Sequence, residues 1–352
     1  MVAGALLGVS ALGLASACSP IYVLKAGWAE AKILNARRPI PEVILDPELD
    51  ERTRGKLTLV REARVFAIEQ LGVNVGDSYT TYTQLEQDTL AMVLSAAHQD
   101  RIASKTWWFP VVGAVPYKGF FDVTDAEREQ SKLEEEGYDT YLRPTAAFST
   151  LGWFSDPLLS SLMRYDEVEL VETVVHELSH NHLFVPGSVR FNESFASWAG
   201  RTASIEFFCT REGGGPDTVW CIRAKDRWED EKRFSLFIDD LIEELSDIYA
   251  DSSRTRADKL TVREVAFADA KERFEQEVQP GFRSLTFRSF ATIPLNNATL
   301  LSRMRYYHRL PDFQAFMDQR GGSFQSALNA LTDAAPTAAD PFELLPSREP
   351  SG

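Results

Sequence analysis

The sequence lacks features that are typical of membrane-spanning proteins, nucleic-acid-binding proteins and repeat proteins. After residue 17 no stretch approaches the roughly 18 uninterrupted apolar residues of a membrane-spanning helix, so this part is predicted to be soluble. The formal net charge is −15 and no basic patch offsets it, which argues against binding to nucleic acid. Internal repeats and long low-complexity blocks are also absent. The remaining interpretation is one large globular domain.

Cysteine is scarce, with 3 in the chain. Cys209 and Cys221 flank a segment with a Gly-Pro turn that could bring them together, and in an oxidising compartment they are expected to form a disulfide. The alternative is two buried thiols in a cytosolic protein. Cys18 is then the odd cysteine.

The first 17 residues have the character of an export signal. They carry no charge and lead directly to Cys18, which resembles a bacterial lipoprotein signal that is cut before a cysteine that becomes lipidated. No Lys or Arg precedes the apolar run, and Ala15 stands where leucine is usual. An ordinary cleaved signal peptide and a retained anchor are the alternatives. We expect a protein anchored to a membrane by lipid, on the periplasmic side of the cell envelope.

A pentad with metal-binding spacing lies in the middle of the chain. Residues 176–180 read His-Glu-Leu-Ser-His, inside a segment of helical periodicity that Asp166 can cap. Residues four apart on a helix are separated by about 400° of rotation, so His176 and His180 project from one face and can share one zinc ion. Glu177 lies one step round, where it can act on a metal-bound water without being a ligand. The alternative is a chance match on a core helix.

Glu193 is the predicted third ligand of the zinc ion. It lies in the first turn of a second helical pattern, which begins after a break at Pro186-Gly187. Small residues would let this helix pack closely on the first, namely Ala196, Ala199 and Gly200. His182 is the alternative ligand, but it lies about 200° from His180 on a continuing helix. Asn192 is predicted to steady the ligand carboxylate, to cap the helix, or both.

These segments resemble known proteins. HELSH followed by Asn-Glu-x-x-Ala resembles the gluzincin class of zinc peptidases, and the chain is similar to a family of bacterial proteins described as predicted zinc aminopeptidases, often lipoproteins. The similarity extends over about residues 18–320. It is carried by segments 37–44 (RRPIPEVI), 117–121 (YKGFF), 152–157 (GWFSDP), 191–196 (FNESFA) and 296–298 (NNA).

The resemblance implies zinc-dependent hydrolysis of peptides, with Glu177 as the general base. Gluzincins commonly stabilise the oxyanion with a tyrosine or histidine from a later helix, which implicates Tyr306 or Tyr307, with His308 as a further candidate. They also bind the peptide along an edge strand, for which residues 141–153 are the candidate.

Aminopeptidase action needs a group that holds the free α-amine of the substrate. Asp122 and Asp156 lie in suitable segments, although each could equally be a turn or cap residue. A zinc endopeptidase is one alternative, and a non-catalytic lipid-anchored scaffold with a relic metal site is another. The sequence leaves the peptide and the oligomeric state open.

The predicted fold is α+β: a small, mostly antiparallel sheet packed on the metal helix, followed by a largely helical lobe, as in zincin-like proteins. Residues 1–17 are predicted to be the signal peptide, 18–335 the metallopeptidase domain and 336–352 a flexible tail. A single helix is predicted over residues 313–331. The charged residues of segment 226–244 are predicted to form the solvated face of a helix.

Overall fold

The computed structural model describes residues 20–85, 91–109, 113–145 and 155–346. The predicted signal peptide, Cys18 and residues 146–153 of the candidate edge strand therefore lie outside the described residues. Within those ranges, no helix is both long and apolar enough to cross a bilayer.

The fold is mixed α+β and mainly helical, with 12 α-helices and 8 strands in the described residues. The helices are α1 (Pro20–Asn35), α2 (Ile40–Ile44), α3 (Glu51–Glu69), α4 (Val123–Glu135), α5 (Glu167–His182), α6 (Val189–Thr210), α7 (Val219–Ala250), α8 (Arg256–Arg273), α9 (Arg288–Thr292), α10 (Asn297–Tyr307), α11 (Leu310–Asp318) and α12 (Phe324–Ala334). The strands are β1 (Arg38–Pro39), β2 (Thr81–Thr83), β3 (Ala91–His98), β4 (Trp107–Phe109), β5 (Gly113–Val115), β6 (Lys118–Phe120), β7 (Tyr138–Thr145) and β8 (Leu158–Leu159).

The largest sheet is antiparallel and has the strand order β6-β3-β7. Strand β7 pairs with β3 along its whole length, from Ala91 opposite Thr145 to His98 opposite Tyr138. A second small sheet, β1-β2-β8, contains one parallel pair, and β4 with β5 forms a hairpin. Because β7 pairs on one side only among the described residues, it is an edge strand.

Among the described residues, the main packing partners of the antiparallel sheet are other helices than α5, the predicted metal helix. The sheet packs between α4 and α10, and α5 packs instead against α3 and α6. The alternation of side chains along β7 explains this packing. On one face Leu142 joins Leu94 and Phe120 in a hydrophobic cluster with α4, and the residues on the opposite face lie towards α10. Helix α5 is apolar on most of its circumference, so helices on several sides are needed to bury it.

The helix predicted over residues 313–331 is two helices, α11 and α12. Gly321 and Gly322 separate them, both with a φ of 72°, a left-handed conformation that ends a helix and that glycine adopts at little cost.

The chain after residue 335 packs on the protein as far as Pro346. Residues Pro341–Leu344 form a 3-10 helix, and Phe342 is buried in the core that contains α5 and α6. The guanidinium of Arg309 donates hydrogen bonds to the carbonyls of Phe342 and Pro346, at 2.9 and 2.8 Å. This part of the segment predicted to be a flexible tail is therefore ordered.

The charged segment 226–244 is only partly solvated, which corrects the prediction. Asp230 is buried, and its carboxylate accepts backbone N–H groups from Arg283, Ser284 and Leu285 at 2.9, 2.7 and 2.8 Å. Glu231 on the same helix is buried against Arg201. Acidic residues that are buried in this way need such partners, which lie far away in the sequence.

Three hydrophobic clusters form the interior. The first joins α3, α5, α6, α11 and α12, the second joins α7 to α10, and the third lies between the antiparallel sheet and α4. Helix α10 packs against α6, α7 and the sheet, so it connects all three clusters. The candidate site lies where α5, α6 and α10 meet.

Candidate metal centre

Two histidines and one glutamate converge between α5 and α6. Their ligand atoms, from His176, His180 and Glu193, all lie within 4.8 Å of one another. The Glu193 carboxylate oxygen Oε2 lies 3.2 Å from His176 Nε2 and 3.7 Å from His180 Nε2. Ligand atoms around a tetrahedral zinc ion with bonds of 2.0–2.1 Å are separated by about 3.3 Å. The three predicted ligands therefore fit a small divalent cation.

The local sequence explains how these side chains reach each other. Asp166 caps α5 by accepting the Glu169 N–H at 3.0 Å. A Cβ atom on Gly200 of α6 would lie 2.5 Å from the Glu172 carbonyl oxygen and 3.1 Å from the His176 nitrogen. Only glycine permits this approach of the two helices, directly behind the first histidine ligand.

The ionisation of the site favours a cation. Burial alone would raise the pKa of the Glu193 carboxyl, but hydrogen bonds with His176 and His180 outweigh it and hold the pKa far below its usual range. Burial would likewise lower the pKa of His180, whereas its hydrogen bond with Glu193 and the nearby negative charges raise the pKa overall. Glu193 therefore remains a carboxylate that attracts positive charge to the space beside the two imidazoles.

Glu177 is separate from the three ligands and adjacent to them. It lines a cavity of about 400 Å³ together with His176 and Tyr306. Burial raises the pKa of the Glu177 carboxyl. His176 and His180 oppose this increase, while the negative charges of Glu193 and Asp156 add to it. A carboxylate with a raised pKa is a stronger base than an exposed one, which suits proton abstraction from water.

The structure distinguishes the three oxyanion candidates at the end of α10. The Tyr306 ring lies 6.0 Å from the His176 ring, and no described residue hydrogen-bonds its hydroxyl. Tyr307 instead packs on Phe234 in the second cluster, at 5.1 Å between ring centroids. His308 Nδ1 lies 2.6 Å from the Asp239 carboxylate, which holds the ring away from the ligands. Of these three candidates, Tyr306 is therefore the one beside the candidate metal ligands.

His182 and Asn192 have positions that the sequence left open. His182 Nδ1 accepts the Asn74 N–H at 2.8 Å, and its Nε2 lies 3.0 Å from the Thr332 hydroxyl, so both nitrogens are engaged away from the ligands. Asn192 binds both the N–H and the carbonyl of Val185, each at 2.9 Å. It thereby holds the loop between α5 and α6, and the N-cap of α6 is Ser188.

The two candidate aspartates for the substrate amine are far from equivalent. Asp122 caps α4 by accepting the Asp125 N–H at 3.0 Å, which is a structural role. Asp156 is buried, and its negative charge contributes to the raised pKa of both Glu177 and Glu30. Asp156 is thus close enough to Glu177 to affect its pKa.

Two more tyrosines near the site are absent from the sequence-based set. Burial raises the pKa of Tyr117, with the charge of Glu193 as the next cause, and the Arg305 guanidinium lies 4.7 Å from its ring centroid. Tyr79 is buried at a φ of 60°, and burial followed by the charge of Glu177 raises its pKa. Segment 117–121 could have indicated Tyr117, whereas no sequence signal indicated Tyr79.

Cys209 and Cys221 are joined by a disulfide, with Cα atoms 4.8 Å apart. The bond connects the last turn of α6 to the first turn of α7. It ties the helix that carries Glu193 to the helix that supplies the buried charges behind the site.

Together, the helix pair, the His-His-Glu set and the adjacent carboxylate and tyrosine define a site that can bind a divalent cation and assist hydrolysis. A sequence model of the family described as "Putative aminopeptidase" matches residues 21–340. The chain belongs to this family, whose description implies an aminopeptidase-like enzyme acting on peptides. No curated protein and no solved structure matches the chain.

Proposed function

We propose that the protein is a zinc-dependent aminopeptidase that removes N-terminal residues from peptides. The convergence of His176, His180 and Glu193 beside Glu177 carries this proposal. Two imidazoles and one carboxylate are a common catalytic zinc set, whereas magnesium and calcium prefer oxygen ligands. The set provides three ligands and leaves a position for water, as catalytic zinc sites do.

The residues around the ligands have distinct tasks in this proposal. A bound zinc ion supplies Lewis acidity, which makes water acidic near neutral pH and polarises the substrate carbonyl. Glu177 takes the proton from the attacking water and passes it to the leaving amine. Tyr306 donates its hydroxyl hydrogen to the oxygen on which negative charge develops.

A carboxylate near Glu177, that of Asp156, supports the removal of single N-terminal residues. Asp156 and Glu30 are close enough to interact electrostatically, and burial followed by the charge of Asp156 raises the pKa of Glu30. An ammonium group beside these carboxylates would gain a favourable charge interaction. We expect Asp156→Asn to raise KM for peptides with a free amine at least tenfold, roughly the effect of one lost charge-assisted hydrogen bond.

The edge strand β7 gives the peptide backbone a place to pair. Tyr141, Arg143, Pro144 and Thr145 of this strand line the same cavity as His176. An extended peptide can add to such an edge through main-chain hydrogen bonds. Pro144 has no N–H, so pairing there relies on its neighbours.

For the cellular location, we propose a lipid anchor at Cys18 on the periplasmic side of a membrane. Incorporation of a labelled fatty acid into the full-length protein, abolished in Cys18→Ala, is the expected result. Full labelling of the variant, or no labelling of the native chain, would remove the anchor from the proposal.

The catalytic proposal is tested on the chain without residues 1–18. We expect one zinc ion per chain and hydrolysis of free-amine aminoacyl substrates. Glu177→Gln should retain zinc and lower kcat by about 100-fold or more, the usual contribution of a general base. Glu167→Gln, in the first turn of the same helix, is the matched control and should leave kcat unchanged.

The alternatives have different outcomes in the same assay. Equal cleavage of N-terminally blocked and free peptides would indicate an endopeptidase. Full zinc occupancy without hydrolysis of any peptide would favour the non-catalytic scaffold. Activity that survives Glu177→Gln would refute the assigned base.

A further inference from the structure

The cavity beside the metal ligands has an unexpected charge. Of the described residues that line it, four are arginines, Arg143, Arg164, Arg201 and Arg303, and one is acidic, Glu177. The chain as a whole has a formal charge of −15. A concentration of guanidinium groups next to the proposed reaction centre is therefore a local feature and does not follow from the composition.

In the part of the chain that the structure describes, Arg201 is the one of these arginines that pairs with a carboxylate. Arg201 forms two hydrogen bonds with the Glu231 carboxylate, at 2.6 and 2.7 Å. Among the residues that the structure describes, no carboxylate lies within ion-pair distance of Arg143, Arg164 or Arg303. Arg143 and Arg303 are half-buried, and Arg164 is exposed. A partly desolvated cation without a counter-ion is less stable than a solvated one, and an anionic ligand would offset that cost.

Arg303 shows how such a ligand could be held. It is half-buried on α10, and burial lowers the pKa of its guanidinium. Two of its nitrogens donate to backbone carbonyls, Nη1 to Thr299 and Nη2 to Ser289, both at 3.1 Å. A guanidinium has five N–H donors, so donors remain for a further acceptor.

Arg143 reaches the same space from the sheet. It lies on edge strand β7, on the face towards α10. Burial raises the pKa of Tyr306, and the positive charge of Arg143 opposes this increase, so the two side chains are close to each other. No described residue hydrogen-bonds the side chain of Arg143. Two guanidinium groups on separate elements, α10 and β7, therefore border one cavity that also contains His176 and Glu177.

We propose that this cavity is a subsite for a carboxylate of the peptide substrate, held by Arg303 and Arg143. The proposal rests on the proposed peptidase function, because the same cavity contains the metal ligand and base. Arginine binds carboxylates through paired N–H donors. Asp156 does not line the cavity. If the substrate amine lies near Asp156, the part of the peptide that follows the scissile bond therefore extends into the cavity. The carboxylate is either the free C-terminus of a short peptide or an acidic side chain.

The experiment compares peptides that differ in one carboxylate. Leu-Ala and Leu-Ala-amide test the C-terminus, and Leu-Glu-Ala-amide and Leu-Gln-Ala-amide test an acidic side chain after the scissile bond. Glu-Ala-amide and Gln-Ala-amide differ before the scissile bond; they are the control pair, and a preference in this pair alone would contradict the proposed orientation. We expect kcat/KM to be about tenfold higher for the acidic member of at least one of the first two pairs, as for a charge-assisted hydrogen bond. The pair that responds identifies the source of the carboxylate.

Arg303→Gln and Arg143→Gln should each reduce that preference several-fold. Arg320→Gln is the matched control: Arg320 is also half-buried, donates to the carbonyl four residues earlier, Phe316 O at 2.9 Å, and stacks on a phenylalanine, but lies outside the cavity. Arg143→Gln removes no hydrogen bond to a described residue, so it tests the subsite even if Arg303→Gln fails to fold.

Equilibrium binding separates this proposal from the catalytic one. Calorimetric titration of Glu177→Gln with the same peptides measures affinity without hydrolysis. Tighter binding of the acidic members, lost in the arginine variants, supports the subsite even if no peptide is cleaved. Equal affinities in every pair, or a preference that survives both arginine substitutions, would overturn it.

Discussion

Four charged side chains form a cluster next to the candidate metal ligands: Glu172, Arg227 and Glu231 are buried, and Arg201 is partly buried. Arg227 donates to the Glu172 carboxylate at 2.8 and 3.0 Å, and Arg201 pairs with Glu231 at 2.6 Å and lies 3.6 Å from Glu172. Glu172 is one turn before His176 on α5. Charges at this depth are stable only with their partners, so the cluster couples the orientation of α5 to that of α6 and α7.

We therefore expect Arg227→Met to be strongly destabilising. It leaves the buried Glu172 carboxylate without its nearest partner, which should lower the free energy of unfolding by about 3–5 kcal/mol. Urea denaturation measures the change. Arg128→Met, which removes an exposed partner of Asp125, should cost less than about 1 kcal/mol. Similar losses in both variants would contradict the proposed role of the cluster.

Glu206 on α6 should make stability depend on pH. Burial raises the pKa of this carboxyl, so the folded chain binds its proton more tightly than the unfolded chain. This contribution is present below the unfolded pKa of about 4.3 and is lost as the pH rises through the folded pKa.

Glu206→Gln should accordingly be more stable than the native chain at pH 7, with a smaller difference near pH 4. Denaturant unfolding across this range measures the effect. Glu212→Gln, at an exposed position, is the control and should show no such trend. A difference that is constant with pH would exclude the carboxyl as its cause.

At the scale of elements, the spacing between α5 and α6 sets the distances among the candidate metal ligands. Glu193 lies on α6 and both histidines lie on α5, so any separation of the helices lengthens the distances of 3.2 and 3.7 Å across the site. Gly200 permits the contact because a Cβ there would overlap the backbone of α5.

Gly200→Ala should weaken both the fold and the metal site. Overpacking of this kind usually costs about 1–3 kcal/mol of stability, and we expect a lower zinc affinity as well. Denaturation and competition with a chelator measure the two effects. Gly55→Ala, inside α3 with open space around the added methyl, should be neutral or slightly stabilising. Unchanged zinc affinity in Gly200→Ala would show that the helix spacing tolerates the methyl group.

At the scale of the whole molecule, α10 links the three hydrophobic clusters to the site. It carries Tyr306 towards His176 and Tyr307 towards Phe234. The buried Asn297 at its start binds Tyr249 of α7 and the carbonyl of His98 at the end of β3, at 2.9 and 2.8 Å. Ligand binding at the site should therefore stabilise the whole chain.

Removal of metal should lower the thermal midpoint of unfolding. An ion that binds only the folded chain stabilises it by about 2.7 kcal/mol at a free concentration 100 times its dissociation constant. Calorimetry with zinc and after chelation measures this shift. His176→Ala lacks one ligand and should show little response, and an equal response in that variant would place the stabilising ion elsewhere.

Much of the local structure was predictable because it depends on short sequence spacings. The pentad at 176–180 indicated a helix with both histidines on one face, and the two ligand helices were expected near their observed positions. The segment 226–244, expected to be helical, lies within α7, Val219–Ala250. The break between α11 and α12 was not predicted, because hydrophobic residues keep their helical spacing across Gly321 and Gly322. The φ angle of both glycines is positive, which ends the helix.

The sequence by itself thus predicted the three candidate metal ligands, the candidate base and a short set of tyrosines, because helical periodicity places such residues within a few turns. Only the tertiary structure decided which tyrosine faces His176, that Asp230 and Glu231 are buried, and that Arg143 and Arg303 border one cavity. These outcomes depend on contacts between residues about 30 to 160 positions apart, such as those of Glu231 with Arg201, of Asp230 with Arg283 and of β7 with α10. No local pattern encodes such contacts, because they arise when separate apolar faces bury one another and bring distant polar groups together.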